Sequence, residues 1–170
     1  MSVSNPKISL ENPLPSTSQA LHEGSIAIFT QARERGREAG LAFAGSVTPQ
    51  EAWTLFQRGD ANLVDVRSAE ERKFVGQVPG TLHVAWANGI GLSRNPRFVG
   101  ELGGKLKKDQ PILFLCRSGK RSAFAAEAAT KAGFTQVFNV LEGFEGELNQ
   151  DQQRGSNDGW RFHNLPWTQD

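Results

Sequence analysis

The residues in this chain best suited to chemistry are Cys116-Arg117-Ser118-Gly119-Lys120-Arg121-Ser122. They follow the apolar run Ile112-Leu113-Phe114-Leu115 and precede an alanine-rich stretch from Ala123. That order predicts a buried strand, a short loop and a helix, with the thiol at the strand's end. A thiol reacts as its thiolate, whereas a free cysteine with a pKa of about 8.5 is mostly protonated at neutral pH. Three features here favour the anion. Arg117, Lys120 and Arg121 bring positive charge, the helix start offers orphan N–H groups and the positive end of its dipole, and Gly119 lets consecutive N–H groups converge into a nest. The same groups would stabilise an anionic substrate or a charged sulfur intermediate, and Ser118 and Ser122 add hydroxyl donors. The alternative is that Cys116 is simply a buried hydrophobe. A core cysteine, however, has no need of three cations within the next five residues.

Loop length separates two chemistries. Cysteine-dependent phosphatases use Cys-x5-Arg followed by Ser or Thr, with the arginine clamping phosphate bidentately. Here the pair comes one residue early, as Cys116-x4-Arg121-Ser122. The smaller cradle suits a single sulfur atom carried on the cysteine better than a tetrahedral phosphate.

The elements that must position this loop are legible in outline. Residues 1–22 read as a flexible arm, polar and punctuated by Pro6, Pro13 and Pro15. Ser25 to Glu38 allows a helix through the apolar residues Ile26, Ile28, Phe29, Ala32 and Ala39, with the basic half Arg33, Arg35 and Arg37 toward water; Gly36 and Gly40 weaken it. Thr48-Pro49-Gln50-Glu51 and Ser68-Ala69-Glu70-Glu71 are capping boxes that open two further helices. A fourth helix begins near Asn95-Pro96, and a fifth runs from Ala123 to Ala132. Strands are expected at Asn62–Val66, Leu82–Trp86, Ile112–Cys116 and Val137–Leu141. This alternation predicts an α/β sandwich with a mainly parallel central sheet flanked by helices. After Gly146 the composition is that of a loop, yet the end carries Trp160, Phe162 and Trp167. These aromatics are expected to pack the tail back onto the domain, with walling of the active site or a partner surface as the other reading.

Composition narrows the function classes. The chain has 170 residues, enough for one domain with an extra segment at either end. Its formal net charge is +1, from 19 basic and 18 acidic residues, so nothing draws it in bulk to nucleic acid or to a membrane. Lys105, Lys107 and Lys108 read as a solvated helix end. A single cysteine excludes an internal disulfide and a cysteine-based zinc site, and His22, His83 and His163 lack ligand spacing. No metal and no cofactor is called for. No run of about 18 apolar residues is present, so no membrane-spanning helix is expected. Residues 1–19 lack the apolar centre of a secretory signal, which, with the free thiol, points to the cytoplasm.

Two blocks together resemble the rhodanese family of sulfurtransferases. The first is Leu63-Val64-Asp65-Val66-Arg67, Glu70 or Glu71, Phe74, Gly76 and Val78-Pro79-Gly80-Thr81. The second is Cys116 to Ser122, Ala123 and Ala126, Gly133-Phe134 and Leu141-Glu142-Gly143-Phe144. They span roughly residues 45–148 in the family's order. Two positions depart from the pattern: Gln77 stands where histidine is usual, and Glu145 where a tryptophan is common. The loop also differs from the Cys-Gly-Ser-Gly of mercaptopyruvate sulfurtransferases, which favours a thiosulfate-type or persulfide-type donor.

The resemblance implies a three-layer rhodanese-like sandwich over residues 45–150. A helical extension at 23–44 precedes it and an aromatic-rich tail at 151–170 follows. It also implies that Cys116 is catalytic and takes sulfur from a small anionic donor such as thiosulfate. Arg117, Ser118, Gly119, Lys120, Arg121 and Ser122 would bind the donor and cradle the persulfide. Asp65 and Arg67, at the strand end near the loop, are read as supporting residues that make a buried ion pair or loop-bracing hydrogen bonds, with a direct substrate role for Arg67 as the other reading. A thiophilic acceptor would then collect the sulfur: cyanide, a small thiol or a protein cysteine. The alternative is a persulfide carrier or interaction module serving a protein partner.

Overall fold

Alternation of apolar side chains along short parallel strands decides how the sheet is covered. In a strand, successive side chains point to opposite faces. Leu63, Leu113, Leu115, Phe138 and Val140 accordingly enter one buried cluster, while Val64, Ile112, Phe114 and Val137 enter another. Both faces are therefore apolar and both must be covered by helices. The computed structural model describes residues 20–170. The expected arm at 1–22 lies, up to residue 19, outside the described residues.

The main sheet has five strands, all parallel, in the order β1-β7-β6-β2-β3. These are β1 Gly45–Val47, β2 Asn62–Asp65, β3 Leu82–His83, β6 Ile112–Leu115 and β7 Val137–Val140. Helices α1 (Glu23–Glu38) and α2 (Pro49–Gln57) cover one face through Phe29, Ala32, Ala52 and Leu55. Helices α4 (Phe98–Lys105) and α5 (Lys120–Lys131) cover the other through Phe98, Leu102, Ala125, Ala126 and Ala129. The result is the three-layer α/β sandwich expected. Short helix α3 (Ala69–Phe74) buries none of its residues and lies just beyond the end of β2. Both capping boxes form: Thr48 and Ser68 each accept from the N–H of the glutamate three residues on, and each glutamate accepts in return.

Several expectations are corrected. The strand expected to reach Trp86 ends at His83, because its neighbour β2 ends at Asp65 to enter the Ser68 cap. Hydrogen bonds from Val84 and Trp86 N–H to Asp65 and Val66 carbonyls continue the pairing irregularly. Arg35 does not face water: it forks onto the Glu51 carboxylate at 2.7 and 3.1 Å and donates to the Ser46 carbonyl, clamping α1 to α2. Gly36 is a contact residue rather than a weakness. A Cβ there would meet the Ala44 carbonyl at 2.7 Å, and one on Gly45 would lie 2.0 Å from the Ala32 carbonyl. Strand β1 therefore lies against the backbone of α1. The sequence reading missed β1, and also the hairpin of β4 (Ala87–Asn88) and β5 (Ser93–Arg94).

Candidate active site

Strand β6 delivers Cys116, which is 1% exposed and the next residue on the face covered by α4 and α5. Gly119 then takes φ +97°, a left-handed conformation that L side chains rarely adopt, and caps α5. This turns the Gly119 N–H back to Sγ at 3.1 Å. Lys120, Arg121 and Ser122 form the first turn of α5, whose N–H groups have no partner within the helix. The Ser122 hydroxyl lies 3.1 Å from Sγ. Sulfur thus sits at the floor of the loop, with the Gly119 N–H directed at it and the Ser122 hydroxyl beside it.

The loop is held from behind by the segment that follows β7. Phe144 N–H donates to the Cys116 carbonyl at 2.8 Å, and Glu145 and Gly146 N–H donate to the Arg117 carbonyl. Gly143 permits the approach: a Cβ there would lie 2.4 Å from the Arg117 carbonyl carbon and oxygen. The tail holds this brace in turn. Trp160 is fully buried, its N–H donates to the Gly143 carbonyl, and its indole donates to the Pro166 carbonyl at 2.9 Å. His163 and the Gly159 N–H both bond the Glu142 carboxylate. The aromatic end packs onto the domain behind the loop; Trp167 stacks edge-on to Phe144.

Charge is distributed differently from the expectation. Arg121, read as a donor-binding cation, forks onto Glu71 at 2.6 and 2.8 Å. Burial works to raise the Glu71 carboxyl, but hydrogen bonds from Arg121 and Ser68, with the Arg121 charge, outweigh it and hold the group down to about 2 from 4.5. The Glu71 hydrogen bonds likewise raise Arg121 above its ordinary value. Arg121 therefore ties the start of α5 to the cap of α3. Lys120 is exposed and Arg117 half-buried, and among the described residues the Arg117 Nε has no hydrogen-bond partner. Arg117 also lines an open pocket of about 250 Å³ with Glu70, Val75, Ile90 and Leu92. The Glu70 Oε2 there is likewise unpartnered among the described residues.

Asp65 and Arg67 are both fully buried and paired at 2.7 Å. Arg67 also donates to the Gly76 carbonyl at 2.8 Å and lies 4.3 Å from the centre of the Phe144 ring. Arg72 Nε approaches Asp65 to 3.3 Å as a second cation, without the alignment of a hydrogen bond. The pair thus joins the end of β2 to the brace under the cysteine loop. Sequence reasoning missed the partner that Glu71 makes across 50 residues, and it missed Asn139. Asn139 is a buried amide on β7 that accepts from Ser122 at 2.5 Å and donates to the Gly119 carbonyl at 3.1 Å. Its signal was a polar residue inside the apolar run Val137-Phe138-Asn139-Val140.

This fold, with a cysteine loop between a parallel strand and a helix start, defines a class. The chain belongs to the rhodanese-like family: residues 48–149 match the model of the rhodanese-like domain. An uncharacterised protein of Rickettsia prowazekii (strain Madrid E) is 38% identical over 115 residues, covering 66% of this chain and 87% of its own. The thiosulfate sulfurtransferase GlpE of Actinobacillus succinogenes is 30% identical over 106 residues, covering 62% of this chain and 85% of that enzyme. Among solved structures, Rv0390 of M. tuberculosis matches with a TM-score of 0.68 at 43% identity, over 75% of this chain and 99% of that one. Family membership supports sulfur transfer as the general class of reaction. Among the described residues no helix is long and apolar enough to cross a membrane, and no group of three or more His, Cys, Asp or Glu could hold a metal ion.

Proposed function

We propose that this protein is a sulfurtransferase that moves a sulfane sulfur from thiosulfate or a similar small anionic donor to a thiophilic acceptor, through a persulfide on Cys116. The observation that carries the reading is the floor of the loop, where Sγ receives at 3.1 Å the N–H of Gly119, the residue that caps α5. In the first half-reaction the Cys116 thiolate attacks the outer sulfur of thiosulfate. The Sγ–S bond forms, the donor S–S bond breaks, and its electron pair leaves on sulfite. The new terminal sulfur carries the negative charge, which the loop N–H groups stabilise. In the second, a thiolate or cyanide attacks that terminal sulfur and Cys116 departs as thiolate. The two half-reactions give ping-pong kinetics. Arg117 and Lys120 supply the charge that draws the donor, while Arg121 is committed to Glu71. A reducing compartment such as the cytoplasm keeps the lone thiol available.

The carrier reading gains from one observation. Ile90 is 92% exposed and lines the pocket beside Arg117 with Leu92, an apolar rim suited to a protein acceptor. Intact-mass measurement after thiosulfate treatment separates the possibilities. Enzyme and carrier both predict a gain of one sulfur, about 32 Da, lost in Cys116→Ala. Rapid turnover with cyanide then favours the enzyme over the carrier. An unmodified wild type, or the same adduct on Cys116→Ala, refutes both.

A further inference from the structure

Four groups close a ring beside the reacting sulfur. Cys116 Sγ lies 3.1 Å from Ser122 Oγ, Ser122 Oγ lies 2.5 Å from Asn139 Oδ1, Asn139 Nδ2 lies 3.1 Å from the Gly119 carbonyl, and the Gly119 N–H returns to Sγ at 3.1 Å. Proton bookkeeping around this ring leaves no choice. The Gly119 carbonyl can only accept, so the Asn139 amide must turn its NH2 to it and its oxygen to Ser122. That oxygen can also only accept, so the single Ser122 proton points to Asn139. What Ser122 presents to sulfur is then a lone pair, which accepts from a thiol S–H and opposes a thiolate.

We infer that Asn139 is a positioning residue that holds the Ser122 proton away from Cys116, so that the ring is complete with the thiol and must open when the thiolate forms. The inference rests on the reading of Cys116 as the reacting group. A thiolate can gain the Ser122 proton only if the hydroxyl rotates off Asn139, giving up one hydrogen bond for another. A thiolate deprived of that donor stays more basic, and a more basic thiolate is the stronger nucleophile toward a sulfane sulfur. All three side chains are enclosed: Cys116 is 1%, Ser122 0% and Asn139 6% exposed, so water does not readily substitute in the ring. Other charges around the loop are Arg117, Lys120 and the Arg121–Glu71 pair, with Asp65–Arg67 at the end of β2 and Glu142 after β7. The variants below leave them all in place.

Because Cys116 is the single cysteine, ultraviolet thiolate absorbance against pH reads this one group, with Cys116→Ser as the blank. Asn139→Leu releases the Ser122 hydroxyl to donate to the thiolate, and the titration midpoint is expected to fall by about one pH unit. In the Ser122→Ala background the same substitution should produce no fall. Asn139→Leu also removes the bond to the Gly119 carbonyl, but an effect carried by that route would persist without the hydroxyl. An unmoved or raised midpoint in Asn139→Leu, or an equal fall in the double variant, overturns the inference. Ser122→Ala alone tests it if Asn139→Leu does not fold: the midpoint stays or falls, whereas a rise of about one unit would mean that Ser122 already donates to sulfur. None of these readings depends on sulfur transfer, so the persulfide measurement can fail while this one succeeds.

Discussion

Replacing Glu71 by glutamine tests whether the Arg121–Glu71 fork stabilises the fold through charge, and its pH dependence supplies the control. The Glu71 carboxyl is held down to about 2 from 4.5, a displacement worth about 3 kcal/mol at most in differential interaction. Its side chain is 16% exposed and that of Arg121 15%, so solvent screens part of this and about 2 kcal/mol is the working figure. Between pH 4.5 and 2 the unfolded chain binds this proton more readily than the folded chain does. The stabilisation is therefore complete above pH 4.5 and is lost as pH falls through the folded value. Glutamine has the shape of the protonated acid and keeps an oxygen for the Ser68 cap. At pH 7 Glu71→Gln should be less stable by about 2 kcal/mol, which lowers the melting temperature by about 4–8 °C. Urea titrations of both proteins from pH 7 downward should then converge, with about half the difference gone by pH 3. Other acid-labile groups cancel in the difference. A gap of constant size from pH 7 to pH 3, or no gap at pH 7, refutes the charge argument.

Two further outcomes concern the loop and its rim. Gly143→Ala forces a Cβ to within 2.4 Å of the Arg117 backbone at φ +68°, so it should cost about 2–4 kcal/mol in urea and slow persulfide formation at least about tenfold where the protein is still folded. Arg117→Gln keeps a donor but removes the charge; KM for thiosulfate should rise about tenfold with kcat little changed, and an unaltered KM would exclude Arg117 from donor binding.

What the sequence made legible was local. Helix α5 and strand β6 are strongly patterned, and each capping box lies within four residues, so type and order of these elements follow from short-range chemistry. The missed elements are those without a pattern to read. Strand β1 is Gly45-Ser46-Val47, too short for alternation and dependent on a close contact with α1. The arms of the β4–β5 hairpin have two residues each. At the site, the placement of Cys116 at a strand end and of Gly119 in the turn before a helix was readable, because it is set by neighbours in the chain. The commitment of Arg121 to Glu71 was not, since the pair is brought together only when α3 and α5 start side by side at the strand ends. Asn139 had left a trace, as a buried polar residue with no local reason to be there.

The engagement of Arg121 bears on the chemistry beyond this correction. A phosphatase loop needs its arginine free to clamp two oxygens of a tetrahedral substrate. Here both terminal nitrogens of Arg121 meet the Glu71 oxygens at 2.6 and 2.8 Å, and the same carboxylate caps α3. Freeing the arginine for substrate would break that fork and leave the Glu71 carboxylate, largely buried, without its cation. Loop length and arginine geometry thus argue independently against an oxyanion clamp, and both leave one sulfur with the Gly119 N–H directed at it. On the proposed reading a singly charged persulfide would be held there without chelation of its donor, and the leaving anion would meet Arg117 and Lys120. With no second cysteine in the chain to resolve it, the proposed persulfide would have to be discharged onto a thiophile from outside the chain, for which the apolar rim beside Arg117 is the surface we propose.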